Sequence, residues 1–154
     1  MNIFVVDEDP EVAARQLCDK HVVKMILETA QMMCTVAHGY GYSPPYKKTH
    51  PKHPCTLWAG QSAENWAWLT DHGLAMCEEY TERYGRTHKS EAVIRWCRRL
   101  PIRFPAQQLT PFAQAMPEQY RNECAVTAYR AYYHGEKSGI ATWKSETPQW
   151  WTTV

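Results

Sequence analysis

The sequence contains no apolar run long enough to span a bilayer. Its apolar N-terminal stretch, residues 3–6, stops at Asp7. We therefore expect neither a membrane span nor a signal peptide. A strong net charge is also missing: 17 Lys and Arg stand against 16 Asp and Glu, so composition alone does not announce a polyanion binder. Phenylalanine is scarce, with 3 copies, while Trp and Tyr have 7 and 9. Those amphipathic rings suit wet binding surfaces as well as cores. Cysteine is present in 6 copies, but most fall inside helical patterns. That reads as free thiols in a reducing, cytoplasmic compartment, not as a disulfide framework. Repeats and linkers are absent, and 154 residues suit a single domain, residues 1–154, with its own core.

What the net charge hides, the distribution shows. Residues 39–56 carry Lys47, Lys48 and Lys52 and no acid, and residues 86–104 carry Arg86, Lys89, Arg95, Arg98, Arg99 and Arg103 against Glu91 alone. Two basic regions in a nearly neutral chain fit a polyanion-facing surface; they fit a pair of solvated charge runs equally well.

Helical signals dominate the chain. Residues 2–6 read as a short strand or an extended arm packed on the core. Asp9 as N-cap with Pro10 at the first helical position opens a helix. Helical spacing continues, with a break near Asp19, to His38, where Gly39 and Gly41 end it. The segment "GYGYSPPYKKTHPKHPC", 39–55, is a loop, because its prolines and glycines forbid regular structure. From Thr56 to Tyr84 the spacing of Trp66, Leu69, Gly73, Met76, Cys77, Tyr80 and Tyr84 predicts one long helix. A further helix runs from Ser90 to Arg99 with Val93, Trp96 and Cys97 inward. The last spans about Asn122 to His134, presents Tyr129, Tyr132 and Tyr133, and ends at Gly135. The tail "ATWKSETPQWW" packs back on the body. The expected fold is all-α: a compact domain of about four to five helices around a central N-terminal helix, with a Pro-rich basic loop and an aromatic C-terminal tail.

That central helix poses the functional question. At about 100° per residue, Val22, Val23, Ile26, Leu27, Ala30, Met33 and Val36 spread over roughly half its circumference. His21, Lys24, Glu28, Gln31 and Thr35 gather in a wedge of about 80°. A helix so apolar belongs in the middle of a fold, and a polar wedge there faces a cavity or, on the plainer reading, is a solvated edge with Lys24 and Glu28 as an i,i+4 pair. In a cavity, Glu28 is the acid/base candidate, since a carboxylate in a semi-apolar cleft is pushed towards working pH. Metal binding is not expected. Cys18-x2-His21 and Cys34-x3-His38 have ligand-like spacing, but about 20 Å of helix separates His21 from Cys34, too far to share one ion. His50, His53 and Cys55 lack a fourth ligand. No cofactor motif is present.

The element "LCDKHVV" at 17–23, followed by Glu28, resembles the start of the phage-type pyrimidine-dimer DNA glycosylases, also called endonuclease V. The likeness rests on Leu17, Asp19, His21 and Glu28, and more weakly on the second long helix and the "TPQWW" tail. It implies a small all-α enzyme that binds double-stranded DNA at a damaged or modified base. An N-terminal α-amine attacks C1′, the base departs, and the resulting Schiff base eliminates the 3′ phosphate. Glu28 would assist at the sugar, and His21 would line the site. An α-amine is the least basic aliphatic amine in a chain and forms carbonyl adducts readily. Here the amine would be that of Met1, or its replacement Lys24. Asn2 is a poor context for removing Met1, the arm before the shared element is about five residues longer, and Leu27 and Gln31 stand where the family has arginines. These departures argue against dimer specificity.

Three functions therefore remain open on sequence. The first is a glycosylase/AP lyase-like enzyme using Met1 or Lys24 with Glu28 and His21, with Gln31, Lys47, Lys48, Lys52, Arg95, Arg98 and Arg99 on DNA. The second is a phage-type enzyme that modifies a nucleotide or DNA base on the same scaffold without cutting. The third is a non-catalytic nucleic-acid- or protein-binding module. An amine mechanism requires Glu28 within about 6 Å of one of the two amines, since only one intervening water can bridge a longer gap. Oligomeric state has no signature in the sequence.

Overall fold

The computed structural model describes residues 1–152, all of whose regular structure is helical. Seven α-helices run in chain order: α1 (Pro10–Gln16), α2 (Asp19–Gly39), α3 (Pro54–Ala59), α4 (Ala63–Tyr84), α5 (Glu91–Arg98), α6 (Ala125–Glu136) and α7 (Gln149–Thr152), with a 3₁₀ turn at Glu118–Tyr120. The all-α expectation holds. The helices outnumber the expected four to five because one predicted helix is divided and the tail adds a short one. No described helix is long and apolar enough to cross a membrane.

The local reasons are mostly capping. The Asp9 carboxylate accepts from the Glu11 and Val12 backbone N–H groups, with Pro10 in the first turn of α1. The helix predicted over 56–84 is two helices: Gly60 ends α3, and Ser62 caps α4 by accepting from the Asn65 N–H. A side chain able to satisfy a free backbone donor makes the interruption cheap. In α5, Val93, Ile94 and Cys97 are buried while Trp96 is 37% exposed, so the inward face is rotated from the expected one. Gly135 does not stop α6, which continues to Glu136. A Cβ there would lie 2.3 Å from the Tyr120 hydroxyl, so the glycine serves close packing inside the helix and not termination.

The central helix is α2, packed between α4, α3 and α5. Gly73 lets α4 come close: a Cβ at that position would meet the Thr29 methyl at 2.8 Å and Ile94 at 3.2 Å. Residues 2–6 form no strand. They are a buried extended arm laid against α2 and α6. The irregular segment after α5 straps the start of α4, where the Ala106 and Gln107 carbonyls accept from the Ala63 and Glu64 N–H groups. The tail packs back as expected, its Trp143 and Trp150 indoles donating to the Gln16 carbonyl and side chain.

One buried cation joins these parts. The Arg83 side chain, 1% exposed, ion-pairs with Asp19 at 3.1 Å and Glu79 at 2.9 Å. It also donates to the Leu17 and Arg15 carbonyls at 2.8 and 2.9 Å. Asp19 in turn accepts from the Lys144 N–H at 2.9 Å. The break between α1 and α2, the C-terminal end of α4 and the tail therefore meet at one guanidinium, whose planar fork suits several acceptors at once. Replacing Arg83 by Met strands two buried carboxylates and is expected to lower unfolding free energy by about 3–5 kcal/mol. Arg95→Ala removes a pair that is half-exposed at Arg95 and is expected to cost under about 1 kcal/mol. Denaturant titration of the two variants checks the contrast, and equal losses would contradict it.

Candidate active site

The polar wedge of α2 does not behave as one surface. His21, Glu28 and Thr35 are buried, whereas Lys24 is exposed and Gln31 half-buried. Thr35 is spent on structure: its hydroxyl donates to the Gln31 or Thr49 carbonyl and accepts from the Thr49 N–H at 3.0 Å, pinning the Pro-rich loop to α2. His21 and Glu28, seven residues and two turns apart, border a cleft of about 370 Å³.

Glu28 is answered chiefly from the chain's own N-terminus. Its Oε1 accepts from the Asn2 N–H at 2.9 Å and lies 3.2 Å from the Met1 amine. Its Oε2 is 3.8 Å from the Lys24 ammonium. Both candidate amines therefore fall within reach, one on each carboxylate oxygen. The pair differs in setting, for the Met1 side chain is 3% exposed and that of Lys24 69%.

The arm reaches Glu28 because Asn2 is clamped. Its amide donates to the Ala115 carbonyl at 2.8 Å, and its Oδ1 accepts from the Ile3 N–H and from the Tyr129 hydroxyl at 2.8 and 2.9 Å. Phe4 follows with a left-handed φ of 59°, a conformation that costs a bulky L-residue roughly 1–2 kcal/mol. Ring packing holds it there. Phe4 stacks on His21 with centroids 4.1 Å apart and meets Tyr133 edge-on at 5.7 Å. The strain turns the arm so that its first two nitrogens point at one carboxylate.

His21 is kept neutral. Burial, then the charges of Lys137 and Lys24, lower its pKa to about 3. Its Nδ1 is 2.5 Å from the Tyr133 hydroxyl, which also accepts from the Cys18 N–H. The single proton of that hydroxyl goes either to Nδ1 or to the Cys18 Sγ, 3.6 Å away. In the first arrangement the neutral imidazole carries its proton on Nε2, and in the second on Nδ1.

The structure thus brings together Met1, His21, Lys24 and Glu28. Gln31, Lys47 and Lys48 border a separate groove with Leu27 and Tyr46, and Lys52 lines neither hollow. Arg95, Arg98 and Arg99 gather in a third hollow on α5. A further hollow of about 400 Å³, between α1, α4 and the tail, carries Glu79, Glu82 and Glu146 and has the wrong sign for a polyanion. Sequence reasoning missed the opposite wall of the cleft: Phe4 from the arm, Gln114 and Arg121 from the segment before α6, and Tyr132 and Lys137 from α6 and its cap. Only the 129/132/133 tyrosine spacing pointed there, and it reads equally as a packing face.

A family model described as "Pyrimidine dimer DNA glycosylase" matches residues 1–92, about three-fifths of the chain. The match includes α1 to α4, the N-terminal arm, His21, Lys24 and Glu28. No curated protein and no solved structure matches the chain significantly.

The buried histidines make stability pH-dependent. Burial lowers the pKa of His72 to about 4, as it lowers that of His21 to about 3. Below the unfolded value of about 6.5 the unfolded chain binds these protons and the folded chain does not, so acid favours unfolding. Each histidine is expected to cost about 2 kcal/mol at pH 5 relative to neutral pH, with the loss continuing towards the folded values. Melting temperatures from pH 7.5 to pH 5 check this. A flat profile would mean that neither ring is held neutral.

Proposed function

The chain belongs to the pyrimidine dimer DNA glycosylase family, and from that premise we propose that it is a DNA glycosylase with AP-lyase activity, acting on a damaged or modified base in duplex DNA. The α-amine of Met1 is the nucleophile and Glu28 the acid/base. The observation that carries the reading is the Met1 amine lying 3.2 Å from a buried carboxylate at the edge of a cleft.

The chemistry follows from the two oxygens of Glu28. One proton of the Met1 ammonium passes to Glu28. The neutral amine attacks C1′ as the C1′–N bond to the base breaks, and the bonding pair leaves with the base, which takes up that proton. A second amine proton passes to Oε1. That proton moves on to the ring oxygen as the C1′–O4′ bond breaks, its pair staying on oxygen, and a protonated imine forms between Met1 and C1′. Glu28 then takes a C2′ proton, whose bonding pair forms a C2′–C3′ double bond as the 3′ C–O bond breaks and its pair leaves with the phosphate. Oε2 faces the positive charge that develops at the sugar, in a site where solvent screening is reduced. His21, held neutral, supports the ring oxygen or the departing group, as a donor in the tautomer that carries its proton on Nε2. Lys24 sits on Oε2 as a charge partner and, with most of its side chain in water, is the less oriented of the two amines. Lys47 and Lys48 in the groove beside Gln31, and Arg95, Arg98 and Arg99 on α5, hold flanking phosphates and set register.

Borohydride trapping on a duplex with an abasic site tests the reading. The wild-type protein is expected to form a covalent adduct that peptide mapping places on Met1, and Lys24→Ala is expected to retain it. Glu28→Gln is expected to slow trapping by about 10²-fold or more. Loss of the adduct in Lys24→Ala would move the nucleophile to that lysine, and no adduct in the wild-type protein would remove the lyase chemistry.

A further inference from the structure

The cleft has two walls of different origin. One, from the arm and α2, carries Met1, His21, Lys24 and Glu28. The other is built by Arg121, Tyr132 and Lys137, all beyond the residues that the family model matches. We propose that this second wall is a binding site for a single nucleotide, its phosphate held between Lys137 and Arg121 and its base laid against Tyr132. The inference deepens the glycosylase reading by naming what the site grips: one nucleotide, turned out of a strand or free, and not two linked bases.

Charge carries the first step. The cleft gathers the Met1 amine, Lys24, Arg121 and Lys137 around one carboxylate, Glu28. Met1 and Lys24 lie on Glu28. Among the described residues, neither Arg121 nor Lys137 has a carboxylate within ion-pair distance. Like charges converging without a counter-ion repel, and a phosphate removes that cost. Lys137 acts on the interior of the cleft, since its charge is one of the causes that lower the His21 pKa.

The positions of these groups are set by other contacts. Arg121 donates through Nε to the Met116 carbonyl at 3.2 Å, which leaves its terminal nitrogens for an anion. The segment carrying it is closed by Gln114, whose amide donates to the Asn122 carbonyl at 2.6 Å and accepts from the Asn122 N–H at 3.0 Å. Gln114 is thereby a positioning residue, not a reader of bases. Tyr132 lies near-parallel to Phe4, with centroids 6.0 Å apart and planes 14° from each other. Lys137 sits 4.8 Å over the Tyr132 ring. A cation resting on an aromatic face is a contact that a nucleotide can exchange, base for cation on the ring and phosphate for ring on the cation. The volume of about 370 Å³ lies at the small end for ligand sites, which fits one nucleotide.

Two arms test the site and separate its sources. In the first, dTMP, thymidine and inorganic phosphate are titrated into the full-length protein by NMR. In the second, binding of a duplex carrying one 2-aminopurine is followed by fluorescence, which rises when that base leaves the stack. In at least one arm, Lys137→Met and Arg121→Met, which keep the side-chain stems, are expected to weaken binding about ten-fold or more. Tyr132→Ala is expected to abolish the preference for dTMP over phosphate or the fluorescence rise, and Tyr132→Phe to restore it. A response in the duplex arm alone identifies a nucleotide presented by DNA, and a response to dTMP identifies a free one. Unchanged binding in both arms for all three losses would overturn the site, with thermal melts confirming that each variant is folded. Trapping on an abasic duplex reads the amine chemistry separately, so a normal adduct beside unchanged titrations would sink this inference and leave the glycosylase reading intact.

Discussion

A carboxylate buried on the central helix is the constraint from which the rest of the site follows. Glu28 is 6% exposed, and an ionised group so placed has to be met by donors or charge. The chain meets it with its own beginning. Two successive nitrogens, the Met1 amine and the Asn2 N–H, converge on one oxygen, and everything upstream of α1 is shaped to deliver them. The Asn2 clamp, the left-handed turn at Phe4 and the apolar run 3–6 buried against α2 and α6 are consequences of that requirement. The roughly 1–2 kcal/mol of strain at Phe4 is small beside the burial of a phenyl ring packed on His21, Tyr129 and Tyr133, which contributes about 1.5–3 kcal/mol.

The same logic fixes where Glu28 sits. A helix as apolar as α2 could rotate or slide among its neighbours were its first turn not held. Asp19, at the first position of α2, is held by Arg83 from α4 and by the Lys144 N–H from the tail. Glu28 comes about two and a half turns later. The ionic cluster at its first turn and the N-terminus at its middle therefore clamp the register of the helix. Buried ion pairs are poor sources of net stability but good specifiers of arrangement, and here the arrangement is what the proposed chemistry would need.

Parts of the site that rest on local signals were legible in the sequence, and parts that rest on distant contacts were not. The faces of α2 followed from helical period alone, so His21, Lys24 and Glu28 were found together. The Asp9–Pro10 start is a local signal and was plain, whereas the break near Asp19 was marked only by a lapse in helical spacing. The division of the 56–84 segment also had a local signal, Ser62 three residues before Asn65, but the strong apolar spacing on either side concealed it. Asn2 was invisible because its role is to bind backbone and a tyrosine more than a hundred residues away. Arg121 and Lys137 were invisible for a related reason: a strap and a helix cap have no period, and their residue types are those of any surface. Tyr132 was read as part of the tyrosine face of the last helix, with nothing to tell packing from a cleft wall. Trp96 was misjudged because one turn of α5 admits two inward faces that differ by a small rotation.

On the proposed mechanism, the two oxygens of Glu28 also bear on how the Met1 amine would act beside a long side chain. A small first residue exposes its amine without help. Met1 carries a long side chain that would obstruct a sugar unless it were directed elsewhere, and here it is packed away at 3% exposure while the amine stays on Oε1. The flexible thioether suits an irregular gap of this kind. Oε1 is thereby committed to the nitrogens of the arm, and only Oε2, beside Lys24, is left for the substrate. In the proposed reaction a carboxylate divided in this way would do two tasks without moving: one oxygen would orient the attacking amine, and the other would answer the charge that the attack creates.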